Sequence, residues 1–186
     1  MRFLEHYITK QFTGLDVLEV AAGTGYWTQF IAAEAKSILA TDVTIESLGQ
    51  IEKRSLSRPV PIKIANAYTL ADIGQGFNGA FAGLWISHVP RQRLVEFLES
   101  LHLALKPGAT VLFIDNSMAQ CKRLPLSHTD ENGNTYQNRE LEDGSVYRIL
   151  KNFPTEKELE KAIHDFGTNP KFASLENFWA FQYTSR

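Results

Sequence analysis

The chain has 186 residues, of which 44% are hydrophobic, and a formal net charge of −2. That length suits one domain, residues 1–186, with a sizeable core, and the mixed charges offer no basic field to attract nucleic acid. The single Cys121 excludes an internal disulfide, and the N-terminus lacks the apolar run of a signal peptide or membrane span, so a cytoplasmic setting is expected.

The first strong signal along the chain is DVLEVAAGTGYWT, Asp16 to Thr28. Leu18, Val20, Ala21 and Ala22 suit a strand buried on both faces of a parallel sheet. Gly23 and Gly25 then permit a sharp turn and a close approach of the backbone to a ligand. Tyr26, Trp27, Phe30 and Ile31 follow at helical spacing, so the turn opens onto a helix N-terminus that favours polar or anionic groups. A dinucleotide fingerprint needs a third glycine three residues after Gly25, and Thr28 stands there instead.

Strands are expected near 15–21, 37–42, 61–65, 79–86 and 109–115, with helices near 25–36, 44–54 and 90–105 between them. This alternation predicts an α/β fold with a doubly wound, mostly parallel sheet. The third helix carries the stripe Leu94, Phe97, Leu98, Leu101 and Leu105 and ends at Pro107-Gly108. Residues 116–134, rich in Asn, Ser, Asp, Gly and Pro, read as a long loop. Runs at 136–141 and 146–150 flank Asp143-Gly144, which predicts a late β-hairpin insertion. Pro154 and Thr155 open another helix, with Leu159, Ala162, Ile163 and Phe166 on its apolar stripe and Gly167 at its end. Apolar–polar alternation over 172–183 around Glu176-Asn177 predicts a closing hairpin.

The order Glu19-x-Ala21-x-Gly23-x-Gly25, the acidic Asp42 after the second strand and Asn66-Ala67 after the third resemble the motifs of class I S-adenosylmethionine (SAM) dependent methyltransferases. GTGYWT, SHVP, LKPGA and the run DGSVYRILKNFP are similar to one bacterial small-molecule subgroup of that family. The resemblance implies a Rossmann-like sheet whose last strand runs antiparallel, with SAM bound at the strand ends. It also implies a longer N-terminal lid, whereas only a dozen or so residues precede the first strand here. A second subunit in a homo-oligomer, or the late hairpin, would then supply the cover, unless activity is reduced.

In such a sheet ligands lie beyond the C-terminal strand ends. The resemblance places Glu19 near the cofactor's ammonium group; the alternative is a carboxylate capping the loop. Asp42 sits where a ribose hydroxyl pair would meet its two oxygens, or else it caps the next helix. Thr44 is itself a good N-cap, which would leave Asp42 free. Val43, Asn66 and Ala67 flank the expected adenine site, where Asn66 replaces the usual Asp and can donate as well as accept. Tyr68 either packs the ring or is ordinary loop burial. Trp85, Ser87 and His88 end the fourth strand beside the methyl-transfer point. His88 has the intrinsic pKa of a general base, against which stands a structural hydrogen-bonding role. Asp115 and Asn116 either orient the acceptor or cap the following loop. Tyr136, Gln137, Arg139, Lys151 and Asn152 are implied to cover the site mouth, or are solvated strand residues. His6, His102, His128 and His164 show no metal-ligand spacing with one another or with Cys121, so no metal is expected.

The expected function is SAM-dependent methylation of a small molecule, with O or N favoured as acceptor. The rivals are a non-catalytic SAM-binding scaffold and a nicotinamide dehydrogenase, the latter disfavoured by Thr28.

Overall fold

The computed structural model describes residues 2–186. Seven strands form one sheet in the order β3-β2-β1-β4-β5-β10-β9. They are β1 Asp16–Val20, β2 Ser37–Asp42, β3 Ile62–Ile64, β4 Phe77–Gly83, β5 Leu105–Asn116, β9 Gly167–Ser174 and β10 Phe178–Ser185. Strands β1 to β5 pair in parallel, while β10 runs antiparallel to both β5 and β9. The expected mostly parallel sheet and closing hairpin are therefore present. Strand order reverses at β1, which lies between β2 and β4, so the crevice of a doubly wound sheet opens above β1 and β4.

Period-two alternation in β1 separates two cores. Leu18 and Val20 face α4 (Leu94–His102) and α5 (Glu156–Ala162), packing with Phe97, Leu101, Leu159 and Phe181. Val17 faces α1 (Arg2–Gln11) and α2 (Thr28–Glu34), with Ile8, Phe12, Trp27 and Ile31. Glu19 shares that second face, in line with its odd position.

Several boundaries differ from expectation. Helix α1 buries Leu4 and Ile8, one helical turn apart, and was not anticipated from the sequence. Helix α2 starts only at Thr28, three residues after the glycine turn, and α3 (Ile45–Leu48) is a single turn followed by a 3-10 turn at Ile51–Lys53. Helix α4 stops at His102, and β5 already includes Pro107-Gly108, where its pairing with β4 shifts register. The 116–134 segment is not a plain loop. It contains a 3-10 turn at Met118–Lys122 and β6 (Leu126–Thr129), which joins β7 (Thr135–Glu140) and β8 (Val146–Leu150) in a three-stranded antiparallel sheet. The expected hairpin is thus the larger part of a small sheet. No helix among the described residues is long and apolar enough to cross a membrane.

Candidate active site

The turn after β1 is built from left-handed backbone. Ala21 has φ 53°, Gly23 55° and Gly25 75°. An alanine in that region carries a steric cost a glycine avoids. Gly25 is needed twice over, because a Cβ there would also meet Ile51 Cγ1 at 2.6 Å. Across the crevice Leu84, the first residue after β4, is left-handed too, with φ 58°. The two strands at the switch point therefore both end in non-glycine residues held at positive φ.

Ala21 and Leu84 line two adjoining cavities. One, of about 220 Å³, is completed by Asp42, Val43, Ala65, Ala67 and Trp85. The other, of about 440 Å³, is completed by Ala22, Gly23, Thr24, Tyr26, Trp27, Gly83 and Phe178. Of the residues expected at a cofactor, Ala21, Gly23, Asp42, Val43, Ala67 and Trp85 thus meet around one crevice.

Asp42 ties this crevice together. Its Oδ2 accepts from Gly23 N at 2.9 Å, and its Oδ1 accepts from Thr44 N and Thr44 Oγ1, each at 3.1 Å. Thr44 makes no side-chain cap to α3, so the expectation that it caps the helix and frees Asp42 is wrong. The Thr44 hydroxyl prefers the carboxylate, a charge-assisted contact stronger than a neutral one. A carboxylate has about four acceptor positions, and Oδ2 keeps one open. Arg54 braces the turn from outside, donating from Nε to Thr24 O at 2.5 Å.

Glu19 lies beneath the turn and lines neither cavity. It is 1% exposed, and its Oε2 accepts from Thr28 Oγ1 at 2.6 Å. Burial pushes its carboxyl up to about 8, opposed only by the Thr28 bond. Asn66 Oδ1 accepts from Tyr68 N at 3.0 Å, which leaves its NH2 group for a ligand. Tyr68 is held between Arg93, whose guanidinium is 3.6 Å from its ring centroid, and Trp85 at 6.2 Å. Trp85 Nε1 is buried without a partner, a donor on a residue that faces the first cavity.

Beyond Trp85, a 3-10 turn at Ile86–His88 meets the small sheet. Lys151, 2% exposed, donates to Ser87 Oγ at 2.7 Å, Asn116 Oδ1 at 2.9 Å and Asp115 Oδ1 at 3.3 Å. Asp115 in turn accepts from Ser87 N at 2.8 Å. Asn152 bridges the same elements, from its N to Ser87 O at 2.7 Å and from Nδ2 to Val89 O at 3.0 Å. His88 Nδ1 lies 2.8 Å from Leu150 O. A carbonyl only accepts, so Nδ1 carries the proton and Nε2 is the free ring nitrogen. Burial, then the Lys151 charge, lowers the His88 pKa below its ordinary value, keeping the imidazole neutral. Burial likewise lowers that of Lys151, against the pull of Asp115. Tyr136 instead bonds Asp130, and Gln137 is buried against Leu124 O.

Sequence reasoning missed Leu84, and it placed Ser87 at the strand end without its bonds to Lys151, Asp115 and Asn152. Nothing marks a leucine for positive φ, and Ser87 acts through its backbone as much as its hydroxyl.

A family model described as "Methyltransferase domain" matches residues 17–108. A malonyl-[acyl-carrier protein] O-methyltransferase from Hamiltonella defensa subsp. Acyrthosiphon pisum (strain 5AT) is 26% identical over 146 residues, 75% of this chain and 53% of that protein. The chain thus spans about half the length of that curated relative. The DhpI-SAH complex superposes with TM-score 0.76 at 26% identity, covering 98% of this chain and 81% of that one. The DhpI-SAM-HEP complex gives 0.77 at 26%, covering 97% and 82%. PH0226 from Pyrococcus horikoshii OT3 shares the fold, with TM-score 0.80 at 14% identity, covering 100% and 89%.

Proposed function

We propose that this chain, which belongs to the class I SAM-dependent methyltransferases, methylates a small-molecule acceptor at oxygen or nitrogen. The observation that carries this reading is the crevice at the switch point, where a left-handed turn and the Asp42 carboxylate meet beside two cavities. The relative named as an O-methyltransferase favours oxygen.

The residues present fit the cofactor. Asp42 Oδ2 has an acceptor position for a ribose hydroxyl, Asn66 a free amide donor and Trp85 an unpaired indole N–H, while Val43 and Ala67 supply apolar walls for adenine. Bound SAM supplies an electrophilic methyl group on a sulfonium. The chain's own task is to hold the acceptor in line and exclude water, worth roughly 7 to 11 kcal/mol when alignment is good. His88 is neutral, with Nδ1 fixed by Leu150 O, so Nε2 can take the acceptor's proton. Lys151 and Asn152 position His88 by fixing Ser87.

Thermal melts with SAM, S-adenosylhomocysteine (SAH), NAD and NADP test the cofactor assignment. SAM and SAH at a hundredfold excess over their dissociation constants should add about 2.7 kcal/mol of stability, and stabilisation by NAD alone would overturn it. Turnover on candidate acceptors, lowered about a hundredfold in His88→Ala at unchanged SAH affinity, tests the base.

A further inference from the structure

A cleft of about 300 Å³ opens between α4 and α5 and shares no lining residue with either cavity of the SAM crevice. Its floor is Ile86 and Val89, each 2% exposed, and Leu94, Val95, Pro154 and Ala162 form apolar walls. Asn152 is the one buried polar side chain on this lining, and its amide is spent elsewhere. Its Nδ2 donates to Val89 O at 3.0 Å and Asn134 Oδ1 at 3.1 Å, and its Oδ1 accepts from Thr135 N at 2.9 Å and Thr135 Oγ1 at 3.4 Å. No side chain deep in the cleft is left to hydrogen-bond a ligand, which selects an apolar body. Charge lies at the mouth. Arg91 and Glu158 are paired there, and each is held further, Arg91 Nε by Gly133 O at 2.9 Å and Glu158 by the Thr155 cap. Lys161, on the same helix, pairs with no carboxylate among the described residues. The mouth therefore keeps one uncompensated positive charge, the complement of a monoanion.

We infer that this cleft is a second, regulatory ligand site, and that it takes a small hydrocarbon carboxylate, with its body on Ile86 and Val89 and its charge at Lys161. Ile86 and Val89 are also the two residues that flank Ser87 and His88, and Val89 N closes their turn on Ile86 O at 3.1 Å. Asn152, on the same lining, ties that turn to the small sheet. A ligand packed on both ends of the turn favours the turn geometry it fits best, and so acts on His88 without entering the SAM crevice. Binding does not depend on the methyltransferase reading; only its consequence for turnover rests on it.

The test is a heteronuclear NMR titration of the full chain with cyclohexanecarboxylate, its neutral carboxamide and acetate, at matched ionic strength and without SAM. Wild type is compared with Val95→Trp, which fills the cleft from a half-exposed position, with Lys161→Gln, and with a remote charge-loss control, Lys171→Gln on β9. Cyclohexanecarboxylate should move the amide resonances of Ile86, Val89, Val95 and Ala162 saturably, the carboxamide should bind more weakly, and acetate should not bind. Lys161→Gln should lower carboxylate affinity about two- to fivefold, the range of an exposed ion pair, and leave carboxamide affinity unchanged. Val95→Trp should abolish both, and Lys171→Gln should alter neither. No saturable binding to wild type, equal binding by Val95→Trp, or shifts centred away from the cleft overturns the site. Equal affinity for acid and amide overturns the carboxylate class. The ring-proton resonances of His88 should move with the same saturation as the amides, and amide shifts with a motionless His88 ring overturn the regulatory coupling. No part of this readout needs turnover, so it stands apart from any failure of the methyltransferase reading.

Discussion

Replacing Glu19 with Gln should change how stability depends on pH. Glu19 is 1% exposed, has no cationic partner, and receives only the Thr28 hydroxyl. Its carboxyl is pushed up by burial to about 8 from an ordinary 4.5. The unfolded chain releases this proton near the ordinary value, whereas the folded chain keeps it until about 8. Between those values the unfolded state binds fewer protons, so wild-type stability falls as pH rises, at most about 1.4 kcal/mol per pH unit for one proton. Below that window the cost is absent, and above it the cost is constant. From pH 5 to pH 8 the loss is on the order of 3 kcal/mol. Gln has the same shape and does not titrate, and its carbonyl can still accept from Thr28. Burying its NH2 group adds an offset of about 1–3 kcal/mol that does not vary with pH, so the slope is the diagnostic quantity. Urea unfolding of both proteins at pH 5, 6, 7 and 8 measures it, because other titrating groups are common to the two and cancel. Parallel stability curves would refute the placement of Glu19 as a solitary buried carboxyl.

Three further outcomes are expected. Ala21→Gly should raise stability by about 1 kcal/mol in urea unfolding, since glycine adopts φ 53° without the steric cost alanine carries. Asp42→Ala should weaken SAH binding by roughly tenfold in calorimetry and also lower the melting temperature, because Gly23 N and Thr44 N both lose their acceptor. Lys151→Met and Asp115→Asn should each cost about 3–5 kcal/mol by leaving one charge buried alone, and the double variant should cost well under their sum; additive losses in a double-mutant cycle would contradict the pairing.

Much of this fold was legible because its strands are buried on both faces and its helices on one, so apolar spacing reports geometry directly. The glycine turn, Asp42 and His88 were singled out for a related reason: each stands at or just past a strand end on the side where the sheet's order reverses. What escaped was held by partners distant in sequence. All four residues of β6 are exposed, so no apolar pattern marks it, and pairing with β7 alone makes it a strand. Thr44 looks like a cap locally, yet its hydroxyl is turned to donate to the nearby Asp42 carboxylate and accepts nothing from the helix N–H groups.

The SHVP and LKNFP strings illustrate the same limit from the other side. They are more than sixty residues apart, and each alone reads as an ordinary strand-end turn. In space they are one joint: Lys151 on Ser87, Asn152 on Ser87 and Val89, His88 on Leu150. Such a joint explains how a mostly exposed three-stranded sheet keeps a fixed position over the rim, since its own apolar burial is small. Removing a carbonyl or ammonium from this set leaves several buried groups unsatisfied together. The seat of the small sheet therefore depends on residues outside its own strands, and a variant such as Lys151→Met should speed amide hydrogen exchange across β6, β7 and β8 while sparing the Asp42 crevice.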